Sequence, residues 1–112
     1  MKELIQIINE FVKERDWEQF HSPKNLSMAL SVEASEIAEH FLWLTQEESR
    51  NLPKDKIDAV KDEIGDVLTY LLRLCEVLEI DPIEAANDKM VKNKQKYPKE
   101  VVKGQMKKYN EY

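Results

Sequence analysis

The chain has 112 residues, 42% of them hydrophobic and 35% charged, which suits one domain and is too apolar for a disordered chain. Only two glycines and four prolines are present, too few for the frequent turns of an all-β fold, so helices are expected. The net charge of −5 conceals an asymmetry: residues 89–108 hold eight lysines against Glu100, while residues 1–88 hold twenty acids against nine basic residues. An acidic body disfavours a nucleic-acid polymer as partner and suits a divalent cation; the lysines either meet a small phosphate or form a solvated helix face.

Leu4, Ile7, Ile8, Phe11 and Val12 recur at helical spacing and predict a first helix over 2–16, ending before Ser22-Pro23. Ser22 can cap a second helix with Pro23 in its first position, and this helix is expected to run to about Leu44. Thr45 and Glu48 form a T-x-x-E capping box, and Pro53 interrupts soon after, so 45–53 reads as a connector with at most one short helical turn. A third helix follows. Its apolar residues Ile57, Val60, Ile64, Val67, Leu71, Leu74 and Leu78, widened by Leu68 and Leu72, exceed what one neighbouring helix covers. Asp81-Pro82 with Glu84 starts a fourth helix, which ends near Tyr97 because Pro98 opposes continuation.

The expected fold is all-α: an antiparallel bundle of about four main helices over residues 1–98, a lysine-rich tail over 99–112, and assembly as an oligomer. The single Cys75 cannot form an internal disulfide and no charged-then-apolar leader opens the chain, so a reducing, cytoplasmic setting is expected. The apolar run Val67 to Leu72 is broken by Thr69 and Tyr70 and is far too short for a membrane span.

Glu33 with Glu36, and Glu63 with Asp66, are i, i+3 pairs on the second and third helices. Glu33 shares a stripe with Leu26, Leu30, Ile37 and Leu44, where an unpaired carboxylate is costly and a cation removes the cost. The midpoint of the two pairs falls near residues 49 and 50, inside the connector, so an antiparallel hairpin brings all four acids together. Oxygen ligands favour magnesium, with manganese as the alternative. A ferritin-like di-iron site needs two E-x-x-H motifs, and only Glu18 to His21 matches, at the end of the first helix. Acids on ordinary solvated helices are the competing explanation.

Trp17-Glu18-Gln19-Phe20-His21, Pro23, Asn25-Leu26, Glu33-Ala-Ser-Glu36, Phe41 and Trp43 resemble the opening motif of the MazG-like nucleotide pyrophosphohydrolases, in their dCTP pyrophosphatase branch. Glu63-Ile-Gly-Asp66-Val-Leu-Thr-Tyr70 and Asn93-Lys-Gln-Lys-Tyr97-Pro98 resemble that family's second acidic motif and its closing motif. The resemblance covers residues 10–98. It implies an all-α hydrolase that cleaves nucleoside triphosphates, dCTP-like ones preferred, between the α- and β-phosphates. It further implies magnesium held by Glu33, Glu36, Glu63 and Asp66, with Glu36 the first choice as base toward water. Trp17, His21, Trp43 and Tyr70 would line the base and sugar pocket, against the alternative of core packing. Lys89, Asn93 and Lys96 share one face of the fourth helix and could meet the phosphates. The family resemblance also implies a dimer, paired again into a tetramer. The alternatives are a phosphoribosyl-ATP pyrophosphohydrolase-like enzyme and a non-catalytic helical dimerisation or adaptor module.

Overall fold

A computed structural model describes residues 1–105. Within them every regular element is helical: α1 (Lys2–Glu14), a 3-10 turn (Glu18–Phe20), α2 (Pro23–Glu39), α3 (Gln46–Arg50), α4 (Lys54–Val77), α5 (Pro82–Lys96) and α6 (Lys99–Val102). Among the described residues no helix is long and apolar enough to cross a membrane. The chain divides into two units, Met1–Glu79 and a second opening at Ile80.

In the first unit α4 packs mainly against α2 and to a lesser degree against α1. The α2·α4 pair is antiparallel. His40, at the end of α2, meets Lys56 early in α4, whereas His21, just ahead of α2, meets Arg73 late in α4. Ile8, Val12 and Leu72 form a buried cluster with Ile5 and Leu68 against it, and Leu26 of α2 is almost wholly enclosed. That is a small core for so many apolar residues.

Two helices end earlier than the bounds expected for them. The first stops at Glu14, because the Arg15 and Asp16 N–H groups tighten onto the carbonyls of Val12 and Lys13, and Asp16 turns into the left-handed region at φ 54°. Asp tolerates that conformation better than most residues. The Glu18–His21 pair therefore lies on a separate 3-10 turn with His21 at its C-cap, and not at the end of α1. The second helix stops at Glu39 instead of near Leu44. His40 and Phe41 bond three residues back, to Ile37 and Ala38, and Thr45 must become extended to cap α3.

The capping signals hold atom by atom. Ser22 accepts from the Asn25 N–H with Pro23 at the first position, and Asp81 accepts from the Ile83 and Glu84 N–H groups with Pro82 likewise. Thr45 and Glu48 exchange both bonds of a capping box. Each satisfies a helix N–H that the helix itself cannot. In the stretch expected to be a tail, Lys99–Val102 forms α6, while 106–112 lies outside the described residues.

Candidate metal centre and its neighbouring cleft

Glu33 and Glu36 project from α2 and Glu63 from α4. One carboxylate oxygen from each lies within 4.8 Å of the others, and all three residues are half-buried. Oε2 of Glu33 is sealed from solvent without a hydrogen-bond partner among the described residues. Burial, the close approach of Glu36, and the charges of Glu36, Asp66 and Glu63 together push the Glu33 carboxyl above the ordinary carboxylate range. Glu63 is raised as well, first by its approach to Glu36, then by burial and by the charges of Glu36 and Asp66, with His40 opposing. Like charges crowded beside an orphaned buried oxygen are what a divalent cation would relieve. The oxygen-only donor set fits magnesium or manganese.

Asp66 stands one helical turn beyond Glu63. It is outside the three-oxygen cluster and exposed, yet close enough to influence both Glu33 and Glu63. Asp66 also lines a cleft of about 240 Å³ together with Phe11, Trp17, His21, Thr69, Tyr70 and Arg73. The left-handed Asp16 folds Trp17 back so that its ring meets Phe11 edge-on, 5.6 Å between centroids and 76° between planes. Burial, followed by the charge of Arg73, lowers the pKa of His21. The structure thus unites Trp17, His21 and Tyr70 beside the acids. It does not bring Trp43 to this cleft: Trp43 lies on the turn after α2 and is 89% exposed, so core packing does not explain it either.

Lys89, Asn93 and Lys96 lie on α5, in the second unit. Lys89 and Lys96 are exposed and Asn93 is half-buried.

Two site neighbours were not singled out from the sequence. His40 places Nε2 3.8 Å from Glu63 Oε1, and its Nδ1 lies 3.4 Å from Lys56 Nζ. His40 stands at i+4 from Glu36 and i+7 from Glu33, and this spacing was the available signal. Arg73 is buried, at 6% exposure. It follows Asp66 at i+7 and Tyr70 at i+3, on the face that carries the site.

A model of the MazG-like family matches residues 28–112. The chain belongs to the MazG-like family. Its similarity to mouse dCTP pyrophosphatase 1 is 37% identity over 99% of the chain and 66% of the mouse protein. The human dCTP pyrophosphatase 1 matches at 37% over the same shares. The chain thus spans about two thirds of the length of these relatives, just under that fraction at 66%. A crystal structure of a pyrophosphatase from Archaeoglobus fulgidus superposes with a TM-score of 0.83 at 45% identity, covering 88% of this chain and 92% of the other. The MazG-like match begins within α2, so it includes both acidic motifs but not Trp17 or His21.

Proposed function

We propose that this MazG-like protein hydrolyses nucleoside triphosphates, dCTP-like deoxynucleotides preferred, to the monophosphate and pyrophosphate. The observation that carries this reading is the convergence of three half-buried carboxylates, one with an orphaned oxygen, beside an aromatic cleft. Similarity to dCTP pyrophosphatases and to an archaeal pyrophosphatase supports it. Glu33, Glu36, Glu63 and Asp66 would hold magnesium, or manganese in its place. Once bound, the cation would neutralise triphosphate charge and stabilise the leaving pyrophosphate.

The protein's own residues perform the remaining tasks. Glu36, between Glu33 and Glu63, takes the proton of the attacking water. Trp17 and Tyr70 offer aromatic faces to a base, and Trp43 adds a third face that a partner or substrate must bring into use. Lys89, Asn93 and Lys96 share a helix face suited to phosphate oxygens. His40 steadies Glu63. In this reading the working form is a homo-oligomer, a tetramer with the dimer as its minimum unit, in the cytoplasm.

The test is pyrophosphate release from a panel of ribo- and deoxynucleoside triphosphates with magnesium. Hydrolysis of dCTP that vanishes in Glu36→Gln and Glu63→Gln, with helicity retained by circular dichroism, is the expected result. Equal turnover of every triphosphate would remove the dCTP preference and leave the reaction class. No pyrophosphate from any of them would leave the adaptor module as the better reading.

A further inference from the structure

Arg73 is buried late in α4, and no carboxylate lies within ion-pair distance of it among the described residues. Its charge is instead handled by two neutral acceptors. Nη1 donates to Oδ1 of Asn9 at 2.8 Å, and Nε donates to Nδ1 of His21 at 3.1 Å. Neutral partners repay the burial of a guanidinium less than a carboxylate in direct contact would. Glu10, Glu18 and Glu76 line the same groove as Arg73 without reaching ion-pair distance, so the contacts that fix its guanidinium are the two to Asn9 and His21.

A guanidinium has donors only. Nδ1 of His21 must then be an acceptor, which leaves the imidazole neutral with its single proton on Nε2. Nε2 has no partner among the described residues and is not sealed from solvent. His21 and Arg73 both line the cleft with Trp17 and Tyr70. At about 240 Å³ the cleft is smaller than a typical ligand pocket of roughly 300–1,000 Å³, so it suits one flat moiety of a nucleotide.

We propose that Arg73 is a positioning residue: it locks His21 as an Nε2–H donor, so that the cleft holds and orients a nucleobase through a carbonyl oxygen or unprotonated ring nitrogen presented to that proton. The proposal rests on the hydrolase reading for the identity of the ligand, but the tautomer itself does not. Burial and the neighbouring positive charge also disfavour imidazolium here, consistent with the geometry. Asn9 completes the device by holding the far side of the guanidinium.

The test is nitrogen-15 NMR of the imidazoles in nucleotide-free protein, with the two histidines separated by a His21→Gln variant. Wild-type His21 is expected to show a protonated Nε2 and a bare Nδ1 at neutral pH. Arg73→Met keeps volume but removes the donor; it should release a tautomer mixture and raise KM for dCTP about three- to tenfold, the loss of one hydrogen bond, with kcat little changed. Arg73→Lys, which retains a donor and guards against misfolding of the first variant, should restore part of both effects. A proton on Nδ1 in the wild type would overturn the proposal, as would an Arg73→Met protein with unchanged tautomer and KM. A wild type with the expected tautomer but no turnover of any triphosphate would instead overturn the hydrolase reading and the donor's role in it, leaving the tautomer lock standing.

Discussion

Glu33 and Glu63 hold their protons more tightly in the folded protein than in the unfolded chain, since both carboxyls are raised above their ordinary range. Between the unfolded and folded values the native state binds more protons, so stability falls as pH rises through that window. The metal-free protein should therefore melt at a lower temperature near neutral pH than just above the ordinary carboxylate range. Millimolar magnesium should shrink the difference by replacing protons with a cation, and Glu33→Gln should flatten it. Calorimetry across pH, with and without the ion, checks this; a metal-free melting temperature that climbs over the same window would refute the crowded-carboxylate account. The two tryptophans divide by exposure. Trp17→Ala should weaken nucleotide binding by about 1–3 kcal/mol of lost stacking and cost some stability through its contact with Phe11. Trp43→Ala should leave the melting temperature within a degree or so, because its ring is almost fully exposed; an unchanged affinity there, read by calorimetric titration, would remove Trp43 from the nucleotide site. The convergence of Glu33, Glu36 and Glu63 could be anticipated from the sequence because i, i+3 spacing is a local signal, whereas Asp66, expected with them, stands outside the cluster. Arg73 could not be anticipated, because its partners Asn9 and His21 are 64 and 52 residues away, and a lone charge after Leu71-Leu72 looks like a solvated break until the fold closes over it.

Helix starts were legible and helix ends less so, for a physical reason. A start is written in one or two side chains, as at Ser22, Thr45 and Asp81, which accept backbone N–H groups directly. An end is set by backbone tightening that leaves no such mark, so α1 stops two residues before its expected bound and α2 stops short of Leu44 on its apolar stripe. The end of α4 shows the cost of lacking a dedicated residue. Its last helical turn passes into Glu79 at φ 57°, a left-handed position where glycine is usual and a side chain is strained. Glu79→Gly should stabilise the protein by about 0.5–1 kcal/mol, the relief of local strain exceeding the entropy that glycine adds to the unfolded chain. Urea unfolding decides it: a lower midpoint with unchanged slope would show that the αL conformation at Glu79 is held by contacts worth more than the strain.

At the scale of the whole molecule, the apolar surplus anticipated on the third long helix has a definite place. Ile57, Ile64, Leu71 and Leu78 recur every seven residues along α4 and its C-cap and stand 49%, 52%, 40% and 47% exposed. A seven-residue repeat keeps one stripe facing one way, as in helices that pack along a partner. Covering four half-exposed side chains of this kind is worth roughly 3–6 kcal/mol per copy. Doubled across a two-fold axis, this is comparable to the cost of association, about 4–15 kcal/mol. The stripe alone therefore makes a marginal dimer. Two further exposed sets, Leu4 and Ile7 on α1 and Met28 and Val32 on α2, offer surface for a larger interface or a second one, which is why a tetramer is the expected assembly. Static light scattering at micromolar concentration should give four times the chain mass, and Ile64→Lys with Leu71→Lys should lower it. Neither residue is among the three carboxylates of the candidate metal centre or the residues lining the cleft, so activity lost with the assembly would mean that a neighbouring copy completes the site. A wild-type chain that is monomeric, stable and fully active would refute both the assembly and this account of the stripe.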